Sequence, residues 1–102
     1  MPDSNTETPT YDGYFLSYSG VRLPLKLVGE LEFAEVENRN TYFGACYNEQ
    51  GQALLIRKVV YGEIEMEHRY SYHDNGALKS AHIINIDNEE QLLQFDANGA
   101  RV

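Results

Sequence analysis

Three stretches of the chain share one phrase: an aromatic residue, three polar or small residues, then glycine. They are Tyr47-Asn48-Glu49-Gln50-Gly51, Tyr72-His73-Asp74-Asn75-Gly76 and Phe95-Asp96-Ala97-Asn98-Gly99. The aromatic positions lie 25 residues apart from 47 to 72 and 23 apart from 72 to 95. A strand, a tight turn and a returning strand fill such an interval, so the phrase predicts consecutive β-hairpins. It reports architecture and carries no chemistry of its own.

If each phrase closes a three-residue loop with glycine in the left-handed conformation, the pairing register follows. For the second phrase, facing residues sum to 150. Tyr72 then meets Leu78, Tyr70 meets Ser80, His68 meets His82, Met66 meets Ile84 and Ile64 meets Ile86. Glu63, Glu65, Glu67 and Arg69 point the other way, and a slip by one residue would bury the glutamates. For the first phrase the pairs sum to 100, so Tyr47 faces Ala53, Ala45 faces Leu55 and Phe43 faces Arg57. A tight turn at Gly62-Glu63 joins the two hairpins and sets Lys58 opposite Glu67, a favourable cross-strand pair. A further turn at Asp87-Asn88-Glu89-Glu90 leads into Gln91-Leu92-Leu93-Gln94-Phe95. Only Ala100-Arg101-Val102 follow the third phrase, which predicts a bare sheet edge there, open to another chain.

Upstream, residues 1–10 are polar with two prolines and read as a disordered tail. Tyr14, Leu16 and Tyr18 alternate with polar or opposite-facing positions, Ser19-Gly20 turns the chain, and Val21, Leu23, Leu25 and Leu27 alternate again. Pro24 places this second arm at an edge or bulge. The Glu-rich run from Glu30 to Glu37 suits either a strand or one or two helical turns, so a short helix is expected near 30–38. The fold class predicted is all-β, with residues 11–102 a single β domain. Its seven or eight strands form an antiparallel meander, as a curved sheet or a partly closed barrel or sandwich.

Sixteen acidic and eight basic residues give a formal net charge of −8. Such a surface repels phosphate backbones and anionic lipids, which argues against nucleic-acid and membrane binding. Cys46 is the only cysteine, so no internal disulfide forms, and the aromatic stretch around it suits a buried, inert thiol. The first residues lack a basic start and an apolar run, and no segment is long enough to span a membrane. A cytoplasmic location is the expectation.

The phrase resembles the tyrosine–aspartate (YD, Rhs-type) repeats of bacterial shell and teneurin-like proteins, and the short repeats of small bacterial antitoxin-like β proteins. Phe95-Asp96-Ala97-Asn98-Gly99 fits best, while His73 and Asn48 replace the aspartate in the other two copies. Phrases such as Tyr42-Phe43-Gly44-Ala45 and Val59-Val60-Tyr61-Gly62-Glu63 also look like those of small bacterial proteins of unknown function. The resemblance covers residues 41–102 and implies inward-packed aromatics on a scaffold, with no catalytic residue carried over.

For chemistry, the predicted register brings His68 opposite His82, with Arg57 near them and Tyr70 on the same face. These four residues form the candidate ligand or partner surface, able in principle to hold a transition metal or respond to pH. No third metal ligand falls on that face, so no metal and no cofactor is expected, and a structural role for the histidines is the simpler reading. Glu63, Glu65 and Glu67 form a row about 7 Å apart, as period two requires, and read as a solvated face. The eight tyrosines suit a half-buried sheet. There is no Ser-His-Asp order with elbow glycines, no phosphate-cradling loop and no Cys/His metal spacing. A non-catalytic interaction module is therefore expected, binding a protein partner or a second copy through a sheet edge. The alternative is a small-ligand or metal-ion protein using Arg57, His68 and His82.

Overall fold

A computed structural model describes residues 11–20 and 23–102. The expected tail at 1–10 and the residues Val21 and Arg22 lie outside the described part. The elements are β1 (Gly13–Ser19), β2 (Lys26–Leu31), α1 (Phe33–Val36), β3 (Thr41–Tyr47), β4 (Ala53–Val60), β5 (Glu63–Tyr72), β6 (Leu78–Ile84) and β7 (Glu90–Gln94). All seven strands join one antiparallel sheet in the order β2-β1-β3-β4-β5-β6-β7, which does not close. From β3 to β7 it is the predicted meander. At the other end β1 inserts between β2 and β3, so the chain crosses through α1 rather than pairing β2 with β3. That short helix occupies the ambiguous Glu-rich segment. It forms because Glu35 reaches back to accept a hydrogen bond from the Glu32 backbone N–H at 2.9 Å.

The repeated phrase makes the same turn each time. Asn48, His73 and Asp96 donate their backbone N–H to Gln52, Ala77 and Ala100 at 2.9, 2.8 and 2.9 Å. The glycines Gly51, Gly76 and Gly99 have φ of 82, 91 and 91°, a conformation that a Cβ disfavours. A fourth copy escapes the aromatic-to-glycine pattern. In Ile84-Asn85-Ile86-Asp87-Asn88 the Asn85 N–H reaches Glu89 at 3.1 Å, and Asn88 takes the glycine role at φ 63°. Asparagine tolerates this region better than most residues. In three of the four turns the first polar residue also clamps the loop. The Oδ1 atoms of Asn48, Asn85 and Asp96 each accept two backbone N–H groups.

The predicted register holds at the turns and fails beyond them. Tyr47 faces Ala53 and Tyr72 faces Leu78, as the sums 100 and 150 require. A bulge then shifts both ladders by one residue, between Cys46 and Tyr47 and between Ser71 and Tyr72. Ala45 meets Ile56 rather than Leu55, Phe43 meets Lys58, Tyr70 meets Ala81, and His82 meets Arg69 rather than His68. The skipped residues, Leu54 and Lys79, stand at the same place in the two repeats. The bulge is thus part of the repeated unit. The turn between β4 and β5 is Tyr61-Gly62, one residue earlier than expected, and Arg57 rather than Lys58 faces Glu67.

Both faces of the sheet carry buried residues. On one, Phe43, Ala45, Ile56, Tyr70 and Ala81 form the buried core beneath Leu23, Leu25 and Leu27. On the other, Tyr11, Leu31, Val36 and Val59 are buried among the rings of Tyr14, Phe33 and Tyr42. Among the described residues, no helix is long and apolar enough to cross a membrane.

Candidate functional site

The four residues expected to share a surface divide between the two faces. His68 and Tyr70 lie on the core face, where His68 pairs with Ile56 and Tyr70 with Ala81. Arg57 and His82 lie on the opposite face, paired with Gly44 and Arg69. The extra residue of the bulge reverses the orientation of β6 relative to β5, which separates the two histidines. Among the described residues, no group of three or more His, Cys, Asp or Glu side chains is placed to hold a metal ion.

His68 and Tyr70 instead form a buried latch. The Leu25 backbone N–H donates to the Tyr70 hydroxyl at 3.2 Å, and that hydroxyl lies 2.7 Å from His68 Nδ1. The hydroxyl's own proton is available to Nδ1, an arrangement that suits a neutral His68 protonated on Nε2. Burial pushes the Tyr70 pKa up to about 12 and lowers that of His68. Protonated His68 would confront the hydroxyl with a second donor. The latch ties the 23–27 segment to the sheet, and burial favours the neutral imidazole there.

On the far face, Glu67 joins two arginines. Arg57 Nε donates to Oε1 at 2.8 Å and Arg69 Nε to Oε2 at 2.6 Å. Burial by itself would raise the Glu67 pKa, but the hydrogen bonds from Arg69 and Arg57 outweigh it and hold the carboxyl below its ordinary value. Burial likewise opposes the charge on Arg57, and its bonds to Tyr11 and Glu67 prevail, raising its pKa. Further along this face, the exposed His82 Nε2 lies 2.8 Å from Glu90 Oε1.

The two depressed pKa values predict stepwise acid destabilisation. Below the ordinary histidine value near 6.5 the unfolded chain takes up a proton that folded His68 refuses, so stability falls as pH drops. Below the ordinary carboxylate range Glu67 adds its own loss, complete only once its lowered folded pKa is passed. The first step should have a slope of at most about 1.4 kcal/mol per pH unit. Urea midpoints measured from pH 7.5 to 3 should show it, and His68→Leu should flatten it above pH 5. An unchanged upper step in that variant would exclude the latch as its source.

The sheet ends differ. Along β2 the pairing with β1 skips Leu16 and Gly29, and Gly29 takes φ 74°. That edge is kinked. The ladder from β6 to β7 is regular through five pairs, Ser80–Gln94 to Ile84–Glu90. Phe95 N–H donates inward to Lys79 at 2.9 Å, and Val102 N–H reaches the Gln94 carbonyl from outside at 2.9 Å. Orientation alternates along a strand. Glu90 and Leu92 therefore turn their backbone N–H and C=O groups outward, with Leu92 59% exposed. Among the described residues, only Arg101 and Val102 pair with β7 from outside, and only along its last part.

An unclosed antiparallel sheet with buried residues on both faces and a half-buried Arg57–Glu67 ion pair on one of them defines an all-β protein. The chain belongs to a family of unknown function, DUF6156, whose profile matches residues 7–102. Searches of curated proteins and of solved structures find no match.

Proposed function

We propose that this protein is a non-catalytic interaction module that receives an extended, basic segment of a protein partner as an added strand on β7. One observation carries the reading: β7 is a regular edge whose Glu90 and Leu92 backbone groups face outward. Strand addition draws its affinity from such main-chain groups and its selectivity from alternate side chains. Asp87, Glu89 and Glu90 stand at the start of the edge on a chain of net charge −8. That charge favours lysine or arginine in the partner and opposes a second acidic copy. The YD-like phrase, a scaffold element in the proteins it resembles, and the lone Cys46 agree with a cytoplasmic, non-enzymatic role.

The test uses a seven-residue peptide of alternating lysine and valine, titrated while backbone amide shifts are recorded. Shifts should concentrate at Glu90 and Leu92 and weaken as salt rises. Leu92→Pro removes an outward N–H without breaking the β6 ladder and should abolish them. Shifts spread over the whole acidic surface, or persisting in Leu92→Pro, would refute the edge. Light scattering of the protein alone reads self-association; a dimer lost in Leu92→Pro would assign the edge to a second copy.

A further inference from the structure

The core-face ends of the repeated hairpins frame a slot. It has a volume of about 470 Å³ and lies between the 23–27 segment and the turns, lined by Leu23, Leu25, Leu27, Tyr47, Tyr72 and Leu78. An adjoining hollow shares Leu23 and Leu78 and adds Phe95. The aromatic of every repeated phrase thus lines one apolar trough. The size falls within the range of small-molecule sites, and a few polar groups in an apolar wall are typical of them.

The polar groups divide into those already bonded and those free. The Tyr72 hydroxyl donates to the Ala53 carbonyl at 2.6 Å, and Gln52 Nε2 donates to the Gly76 carbonyl at 2.9 Å. Among the described residues, the Lys26 ammonium and the Tyr47 hydroxyl have no side-chain partner. Burial, then Glu30, Asp12 and Cys46, raise the Tyr47 pKa, which keeps that hydroxyl a donor. Although sixteen residues of the chain are acidic, among the described residues none lines the slot, and Lys26 is the one charged residue that does.

We infer that the slot binds a small molecule with an apolar body and a single acidic head, the body on Tyr47, Tyr72 and Leu78 and the head at Lys26. The leucines and tyrosine rings of the slot offer the apolar body its contact surface. The two uncommitted donors orient an acceptor, and the charge of Lys26 draws the anionic head to the end of the slot away from Asp12 and Glu30, which act on Tyr47. This site is independent of the β7 edge.

The probe is 1-anilinonaphthalene-8-sulfonate, an aromatic body with an anionic head, followed by its fluorescence and by amide shifts of the folded protein. Saturable one-to-one binding is expected, with shifts at Leu25, Leu27, Tyr47, Tyr72 and Leu78. Lys26→Glu, at an exposed position that leaves the core intact, should weaken it about tenfold, equivalent to about 1.4 kcal/mol. The neutral analogue N-phenyl-1-naphthylamine should bind at the same residues and be indifferent to Lys26→Glu. Absence of saturable binding, or shifts centred outside the slot, would overturn the inference. Equal effects of Lys26→Glu on both probes would overturn the placement of the head.

Discussion

Gly44→Ala is expected to destabilise the protein by about 3 kcal/mol, a drop in melting temperature of roughly 12–24 °C for a domain of this size. Elsewhere in a strand the same change is mildly favourable, because alanine restricts the unfolded chain. Here the added Cβ would stand 2.6 Å from two ring atoms of Tyr11 and 2.8 Å from a third. The ring has no room to yield: it is 7% exposed, and it meets Tyr14 edge-on at a centroid distance of 5.8 Å. Either the sheet bends away or Tyr11 is expelled, with loss of an aromatic burial and of the contact between its hydroxyl and Arg57 at 3.5 Å. A double-mutant cycle separates this from a general intolerance of strand β3. Once Tyr11→Ala has removed the ring, Gly44→Ala should add less than about 0.5 kcal/mol. Additive losses would show that the ring is not the obstacle.

That contact also marks where sequence reading reaches its limit. The hairpins were legible because the aromatic-to-glycine phrase reports turn geometry directly, and Tyr47–Ala53 and Tyr72–Leu78 pair as the loop arithmetic requires. Lys79 and Leu54 defeated the longer extrapolation. A bulge adds one residue without any composition of its own, and every side chain beyond it changes face. His82 consequently moved from a supposed partner of His68 to a neighbour of Arg69 and Glu90. Met66, His68 and Tyr70 kept the inward side, because each still pairs across β4 or β6 with a core-facing position. The insertion of β1 between β2 and β3 was hidden for a different reason. Tyr14 and Phe15 serve two neighbours at once, and alternation along one strand says nothing of which strands flank it. Gly44 within an aromatic run was the one local sign of a ring lying on the sheet. Of the slot, the sequence showed the repeated aromatics and Pro24 but not that the chain folds Leu23 and Leu25 over them.

Glu67→Ala should produce the other large loss, about 2–3 kcal/mol. The carboxylate and Arg57 have side chains only 13% and 14% exposed, whereas Arg69 is 55% exposed. Removing the acid leaves the Arg57 charge in a half-dry site with Tyr11 as its one remaining hydrogen-bond partner, and an uncompensated charge is costlier than a lost ion pair. Full burial would put the penalty at about 3–5 kcal/mol, and the partial water access here brings it lower. Arg69→Ala breaks only the exposed arm and should cost less than about 1 kcal/mol. Glu67→Gln keeps one acceptor and should fall between the two. The pH dependence distinguishes charge from shape. Because the folded carboxyl titrates below its ordinary value, its contribution is complete above the carboxylate range and disappears as pH falls through the lowered pKa. The stability gap between wild type and Glu67→Ala, read from urea midpoints, should therefore be widest near pH 6 and narrow steadily below pH 4. A gap that stays constant to the lowest pH at which the protein remains folded would mean that the glutamate stem fills space and its charge contributes little.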